Sequence, residues 1–116
     1  MSDNAVLTKS KAFAVRIIML YKHLCAESKE YTLSKQILRS GTSIGANIRE
    51  AVNGYSKKDF TAKMSIALKE AGETAYWLEL LAETDYISDS QFKSIYADVE
   101  ELLKLLTSIV KTSKSE

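Results

Sequence analysis

The chain of 116 residues contains no proline, only four glycines, one cysteine and one histidine. Without proline, nothing forces a helix to kink or stop from within. With a single cysteine, Cys25, no internal disulfide framework exists, which fits a reducing cytoplasm. No apolar stretch approaches the roughly 20 residues a membrane span needs, and Arg16 interrupts the nearest one. The first residues, MSDNAVLTKSKAF, lack the apolar run and small-residue cleavage site of a signal peptide. A soluble, cytoplasmic protein with no membrane partner is expected.

The residues that carry most chemistry are also scarce. His23 and Cys25 are two apart, so on a helix they point about 200° apart and form no local dyad. Inward-facing Glu-x-x-His pairs of a di-iron bundle are absent, the nearest match being Glu70 and Glu73. No Walker A loop, dinucleotide fingerprint or nucleophile elbow occurs. No catalytic residue, metal ligand or cofactor is therefore assigned, and a non-enzymatic protein is expected.

What the chain does have is apolar residues, 46% of the total, at helical spacing. A first helix is expected from about Lys9 to Ser28, with Phe13, Ile17, Leu20 and Leu24 on one stripe. Ala14, Ile18, Tyr21 and Cys25 form a second stripe beside it, so this face is wide enough for more than one neighbour. A second helix, about Leu33 to Asn53, turns Leu33, Ile37, Ile44, Ile48 and Val52 inward. Gly54 then suits a positive-φ position after its end. Ser56 is placed to cap a third helix, about Lys57 to Thr84, with Asp59 in its first turn. Its stripe is Phe60, Met64, Ala67, Ala71, Thr74, Leu78 and Leu81. Ser88 and Gln91 form a capping box for a fourth helix bearing Phe92, Ile95, Val99, Leu102, Leu106 and Ile109. Short connections make sequential helices antiparallel neighbours. The expected architecture is a single all-α domain, residues 1–116, folded as an antiparallel up-down-up-down four-helix bundle. It should be about 30 Å long, with an ordered core over about 9–110 and fraying ends at 1–8 and 111–116.

Two glycines sit inside the second helix, Gly41 and Gly45, four apart on one face among Ser40, Thr42, Ser43 and Ala46. Each costs about 1 kcal/mol relative to alanine. Tight helix packing is the default explanation, against close approach of a ligand or a second subunit. Beside them Arg39, Ser43, Asn47 and Glu50 fall within about 80° on the helix. This line suits a polar network at a subunit interface, a nucleic-acid contact with Arg39 on phosphate, or a solvated face.

Net charge is +1, but residues 1–63 hold 11 Lys or Arg against 5 Asp or Glu, and residues 64–116 hold 5 against 10. Either a basic face awaits an anionic partner, or the two halves pair across helix interfaces. Candidates for phosphate contact are Arg16, Lys35, Arg39, Arg49, Lys57, Lys58 and Lys63. Lys57 and Lys58 oppose the dipole at a helix start, which hints at an anion there, although solvated lysines are the commoner explanation. Tyr31, Tyr55, Tyr86 and Trp77 lie at helix ends or off the core stripes, where they could stack on bases, staple helix ends or, the favoured reading, fill an oligomer interface.

The blocks AFAVRIIMLYKHL at 12–24, LSKQILRSGTSIGANIREA at 33–51 and SKKDFTAKMSIALKEAGETAYWLELL at 56–81, with YI at 86–87, resemble the 23S rRNA intervening-sequence protein family. The resemblance spans Phe13 to Ile109. It implies a four-helix bundle assembled as a ring-like homopentamer. Some relatives are encoded within intervening sequences of 23S rRNA genes. A related group serves diversity-generating retroelements as accessory proteins, binding nucleic acid and a reverse transcriptase through a basic surface. The matching motif residues here are Arg16, Arg39, Ser43, Asn47 and Glu50. The expected function is an oligomeric nucleic-acid-binding protein, RNA before DNA. The alternative is a scaffold that docks a partner protein such as a reverse transcriptase.

Overall fold

Four apolar stripes without proline fold into four helices: α1 (Ser2–Glu27), α2 (Leu33–Val52), α3 (Lys57–Glu83) and α4 (Asp89–Ser115). The computed structural model describes residues 2–116, with side chains from residue 5 onward. Each helix packs against the next in sequence and α4 returns against α1, while α1 and α3 lie diagonally across the bundle, as do α2 and α4. The expected up-down-up-down topology is what forms. The bundle is longer than expected, 46 × 21 × 19 Å. The reason is that α1 and α4 run through stretches expected to fray. Val6 is fully buried, and Ser113 is 8% exposed with its hydroxyl bonded to that of Thr61. Only Met1 of those stretches lies outside the described residues.

The core holds the predicted stripes. Phe13, Ile17, Leu24, Ile37, Ile44, Ile48, Met64, Leu78, Leu81, Leu102 and Leu106 are all essentially inaccessible. Each contributes about 1.5–3 kcal/mol of apolar burial. Val52 departs from its stripe: it is 39% exposed, and Ala51 is buried instead. Between α2 and α3 the fully buried Thr74 hydroxyl donates to Ser40 Oγ at 2.8 Å. A hydroxyl pair inside an apolar core is costly unless matched, so this bond helps fix the register of α2 on α3.

The caps set the helix ends. Asp59 N–H donates to Ser56 Oγ, as expected, and the Ser88–Gln91 capping box is complete in both directions. Gly54 is not a positive-φ cap, since no glycine has positive φ. Its lack of a side chain serves a close approach: a Cβ there would collide with the Asp59 carboxylate. The left-handed positions are Lys29 (φ 54°) and Asp85 (φ 67°). After α3, Asp85 N–H reaches Ala82 O and Tyr86 N–H reaches Leu81 O, the paired bonds of a Schellman motif. The start of α2 is capped from a distance. Thr32 makes no side-chain cap. Instead the Glu30 carboxylate accepts backbone N–H bonds from Thr32, Leu33 and Ser34 at 3.1, 3.0 and 2.7 Å. Desolvation pushes this carboxyl upward, but the three N–H bonds outweigh it and hold its pKa below the ordinary value.

Candidate nucleic-acid interface

Gly41 and Gly45 face α1 of their own chain. A Cβ on Gly41 would lie 2.8 Å from both Cγ atoms of Ile17. One on Gly45 would lie 3.4 Å from Ser10 Oγ and 3.5 Å from the Ser10 carbonyl oxygen. Close helix packing within one chain therefore accounts for the pair.

The polar line on α2 faces α3. Arg39 donates through Nη1 to both Glu70 oxygens at 3.3 Å and through Nη2 to Glu73 Oε2. Trp77 Nε1 donates to the same Glu73 oxygen at 3.0 Å. The Arg39 hydrogen bond leads the opposing burial effect and, with Trp77, keeps the Glu73 carboxyl below its usual range. The same bond to Glu73 raises the Arg39 pKa. Asn47 Nδ2 donates to Ser43 O at 2.9 Å, and Glu50 pairs with Lys63 at 3.0 Å. The line is an intramolecular tie between two helices, with its arginine already neutralised.

The other basic candidates divide by position. Arg16 is held by Asp98 at 2.7 Å and by Ser94, bridging α1 to α4 at mid-height. Lys57 pairs with Glu116 at 2.7 Å, both half exposed. Such surface pairs contribute little and open readily. Lys35 is exposed at the start of α2, at the opposite end from Lys57 and Lys58. Arg49 and Lys58 are exposed and, among the described residues, have no ion-pair partner within 4 Å.

The topology gathers charge that the linear sequence scatters. The start of α1, the end of α2, the turn into α3 and the end of α4 all meet at one end of the bundle. Lys57–Glu116, Lys63–Glu50, Lys9–Glu101 and the approach of Gly45 to Ser10 fix that register. The segments 1–11, 49–63 and 104–116 carry nine Lys or Arg against four Asp or Glu. At the far end, segments 22–35 and 79–93 carry four against six. Four of the seven candidates, Arg49, Lys57, Lys58 and Lys63, belong to the basic end. Arg16, Lys35 and Arg39 do not.

Sequence reasoning missed Lys11, Lys111 and Lys114. Lys11 shares a groove with Arg49, Val52 and Asn53 along the α1–α2 seam. Lys111 and Lys114 come from the acidic half of the chain, and only the antiparallel return of α4 brings them to this end. The four-helix topology was the signal that could have found them. Tyr55 stands fully exposed at the turn beside Arg49 and Lys63, in a shallow hollow that also includes Ser56 and Asp59. Trp77, by contrast, packs against the core through α3. No helix among the described residues is long and apolar enough to cross a membrane.

Comparison with known proteins agrees with this architecture. A crystal structure from Bacteroides thetaiotaomicron, described as a protein with unknown function from the S23 ribosomal protein family, is 61% identical with a TM-score of 0.94. The match covers 96% of this chain and 99% of that one. No curated protein matches. The family described as 23S rRNA-intervening sequence protein matches over residues 2–108. The chain is a member of the 23S rRNA-intervening sequence protein family.

Proposed function

We propose that the protein is a non-enzymatic, homo-oligomeric nucleic-acid-binding protein of the cytoplasm that holds the phosphate backbone with the basic end of its bundle. The supporting observation is the gathering of Lys11, Arg49, Lys57, Lys58, Lys63, Lys111 and Lys114 at one end, where, among the described residues, only Lys57 and Lys63 have an ion-pair partner within 4 Å. A patch of this kind attracts polyanions by counterion release and reads little sequence. Tyr55 adds one exposed ring on which a base can stack. RNA is the first ligand to test, because the family description refers to 23S rRNA. In a homopentameric ring, as the resemblance implies, five basic ends would act together. Weak contacts at each would then sum to useful avidity.

The test is fluorescence anisotropy of a structured RNA and a matched DNA duplex, titrated at several salt concentrations. Binding should weaken steeply with salt. The triple substitution Lys11→Glu, Arg49→Glu, Lys58→Glu should lower affinity across all sequences and flatten the salt slope by about one for each phosphate that is no longer neutralised. Unchanged affinity and slope in a folded triple variant would refute the assignment. Absence of binding at low salt would instead leave the basic end to an acidic protein partner.

A further inference from the structure

Where α2 meets α1, Gly45 brings the two backbones together at Ser10. The outer edge of that seam carries short side chains, Ala12 and Ala14 on α1 and Ala46 on α2. Hollows open to solvent are left along it. One of about 340 Å³ lies between Ala14, Thr42 and Ala46. The next, of about 490 Å³, lies between Ala12, Val15, Val52 and Asn53. Both volumes fall in the range of about 300–1,000 Å³ that small flat ligands occupy. The two hollows share Leu7, Lys11 and Arg49, so two cations over an apolar floor divide them. Arg49 and Asn53 also line the hollow at Tyr55, whose ring is fully exposed. Arg49 thus borders three successive hollows, and the row leads along the seam to the basic end. Lys11 and Arg49 are exposed and, among the described residues, have no ion-pair partner within 4 Å.

This alternation of hollow and cation matches one polymer. A nucleic-acid strand alternates a flat base with a phosphate anion. In a duplex the bases are paired and stacked inside, so the cations would meet phosphates and the hollows would hold nothing. In an unpaired strand the bases turn outward and can be taken up one by one. The guanidinium of Arg49 can grip a phosphate with two parallel N–H donors, and Lys11 adds a point charge beside it. The Thr42 hydroxyl already donates to Leu38 O at 2.7 Å, so the hollow at Ala46 offers packing rather than a free donor. The hollow beyond Arg49 has the Asn53 amide, which carries both a donor and an acceptor for a base edge. An exposed aromatic ring at the end of a basic groove is a stacking platform.

We propose that the α1–α2 seam holds an unpaired segment of RNA, with successive bases in the hollows on either side of Lys11 and Arg49 and the following base on Tyr55. This deepens the nucleic-acid-binding function proposed above and rests on it. The protein then selects single strands, loops and bulges over continuous duplex. Phosphate attraction alone predicts the reverse, because a duplex has the higher charge density. Selection by the seam comes from the bases, and it is tolerant of sequence in the hollow at Ala46.

Fluorescence anisotropy of the full chain at fixed salt tests this with three RNA probes of equal length: an unstructured single strand, the same strand built from abasic ribose phosphates, and a continuous duplex. The single strand should bind about tenfold or more tighter than either of the others, the worth of one or more seated bases. Two variants that keep the charge locate the effect. Ala12→Leu/Ala46→Leu fills the hollows, and Tyr55→Ala removes the ring. Each should lower single-strand affinity about tenfold and leave duplex affinity unchanged. Far-UV circular dichroism checks both, and Tyr55→Ala, at an exposed turn, keeps the test open if the filled variant loses helicity. Equal affinity for the three probes, or tighter binding of the duplex, would overturn the seam while leaving nucleic-acid binding intact. A single-strand preference that survives in both variants would overturn its placement at this seam. Binding of none of the probes would overturn the seam together with the function on which it rests.

Discussion

Gly41→Ala is the sharpest test of how α2 packs. The new methyl would sit 2.8 Å from Cγ1 and Cγ2 of Ile17 and 3.2 Å from its Cβ. Ile17 is fully buried and β-branched, so it has almost no rotamer to retreat into. Either α1 moves away from α2 or the side chain strains, and overpacking of this kind costs about 1–3 kcal/mol. Against this, alanine is favoured over glycine by about 1 kcal/mol in a helix. The net expectation is a loss of about 0–2 kcal/mol, at about 4–8 °C in Tm per kcal/mol for a domain near this size. Urea unfolding followed by circular dichroism measures it. A double-mutant cycle removes the ambiguity. In an Ile17→Ala background, itself weakened by about 2–5 kcal/mol, both colliding γ-carbons of Ile17 are gone. There Gly41→Ala should become stabilising, by about 1 kcal/mol, from helix propensity and partial filling of the cavity. The sign of the Gly41→Ala effect thus reverses with Ile17. A stabilising effect in both backgrounds would mean the two helices do not meet at this point.

Glu30→Gln should cost about 1 kcal/mol at pH 7 by removing the charge from three backbone N–H bonds at the start of α2. Glu30 has a depressed pKa in the fold, so its stabilisation is present above the unfolded pKa of about 4.3 and lost as pH falls through the lower folded value. The gap between variant and wild type should therefore close in acid, and an equal gap at both pH values counts against the cap. Arg39→Ala should lower stability by about 1 kcal/mol, since Arg39 is half exposed but its partners Glu70 and Glu73 are less so. It should leave RNA affinity unchanged, and a large loss of affinity without loss of stability would restore Arg39 to the binding surface. Asp85→Gly relieves a side chain held at φ 67° and should raise stability by about 1 kcal/mol in thermal melts; a fall would show that the aspartate side chain supports the turn.

Helix number, order and core were legible because apolar period is a local property. Phe13, Ile17 and Leu24, or Met64, Ala67 and Ala71, announce a buried face without knowledge of what covers it. The stops were less legible. The chain places Lys29 and Asp85 where glycine is customary, so these two left-handed helix ends carry no sequence signal. Gly54, which looks like such a signal, is spent on clearance for Asp59. The Glu30 cap was missed for a related reason: it acts from two residues before Thr32, the residue at the cap position.

The basic surface shows the same division between local and non-local information. Counting charge along the chain separates a basic front half from an acidic back half, yet neither half is a surface. Folding pairs Arg16 with Asp98 and Arg39 with Glu70 and Glu73, one partner from each half. What survives is charge at chain segments far apart in sequence that the up-down topology stacks at one end: Lys11, Arg49, Lys58, Lys111 and Lys114. A helix in a bundle has two ends and alternates direction, so the end of α2 and the start of α3 belong with the start of α1 and the end of α4. Charge summed over those four segments, rather than over halves of the chain, is the quantity that a partner approaching the bundle end would meet.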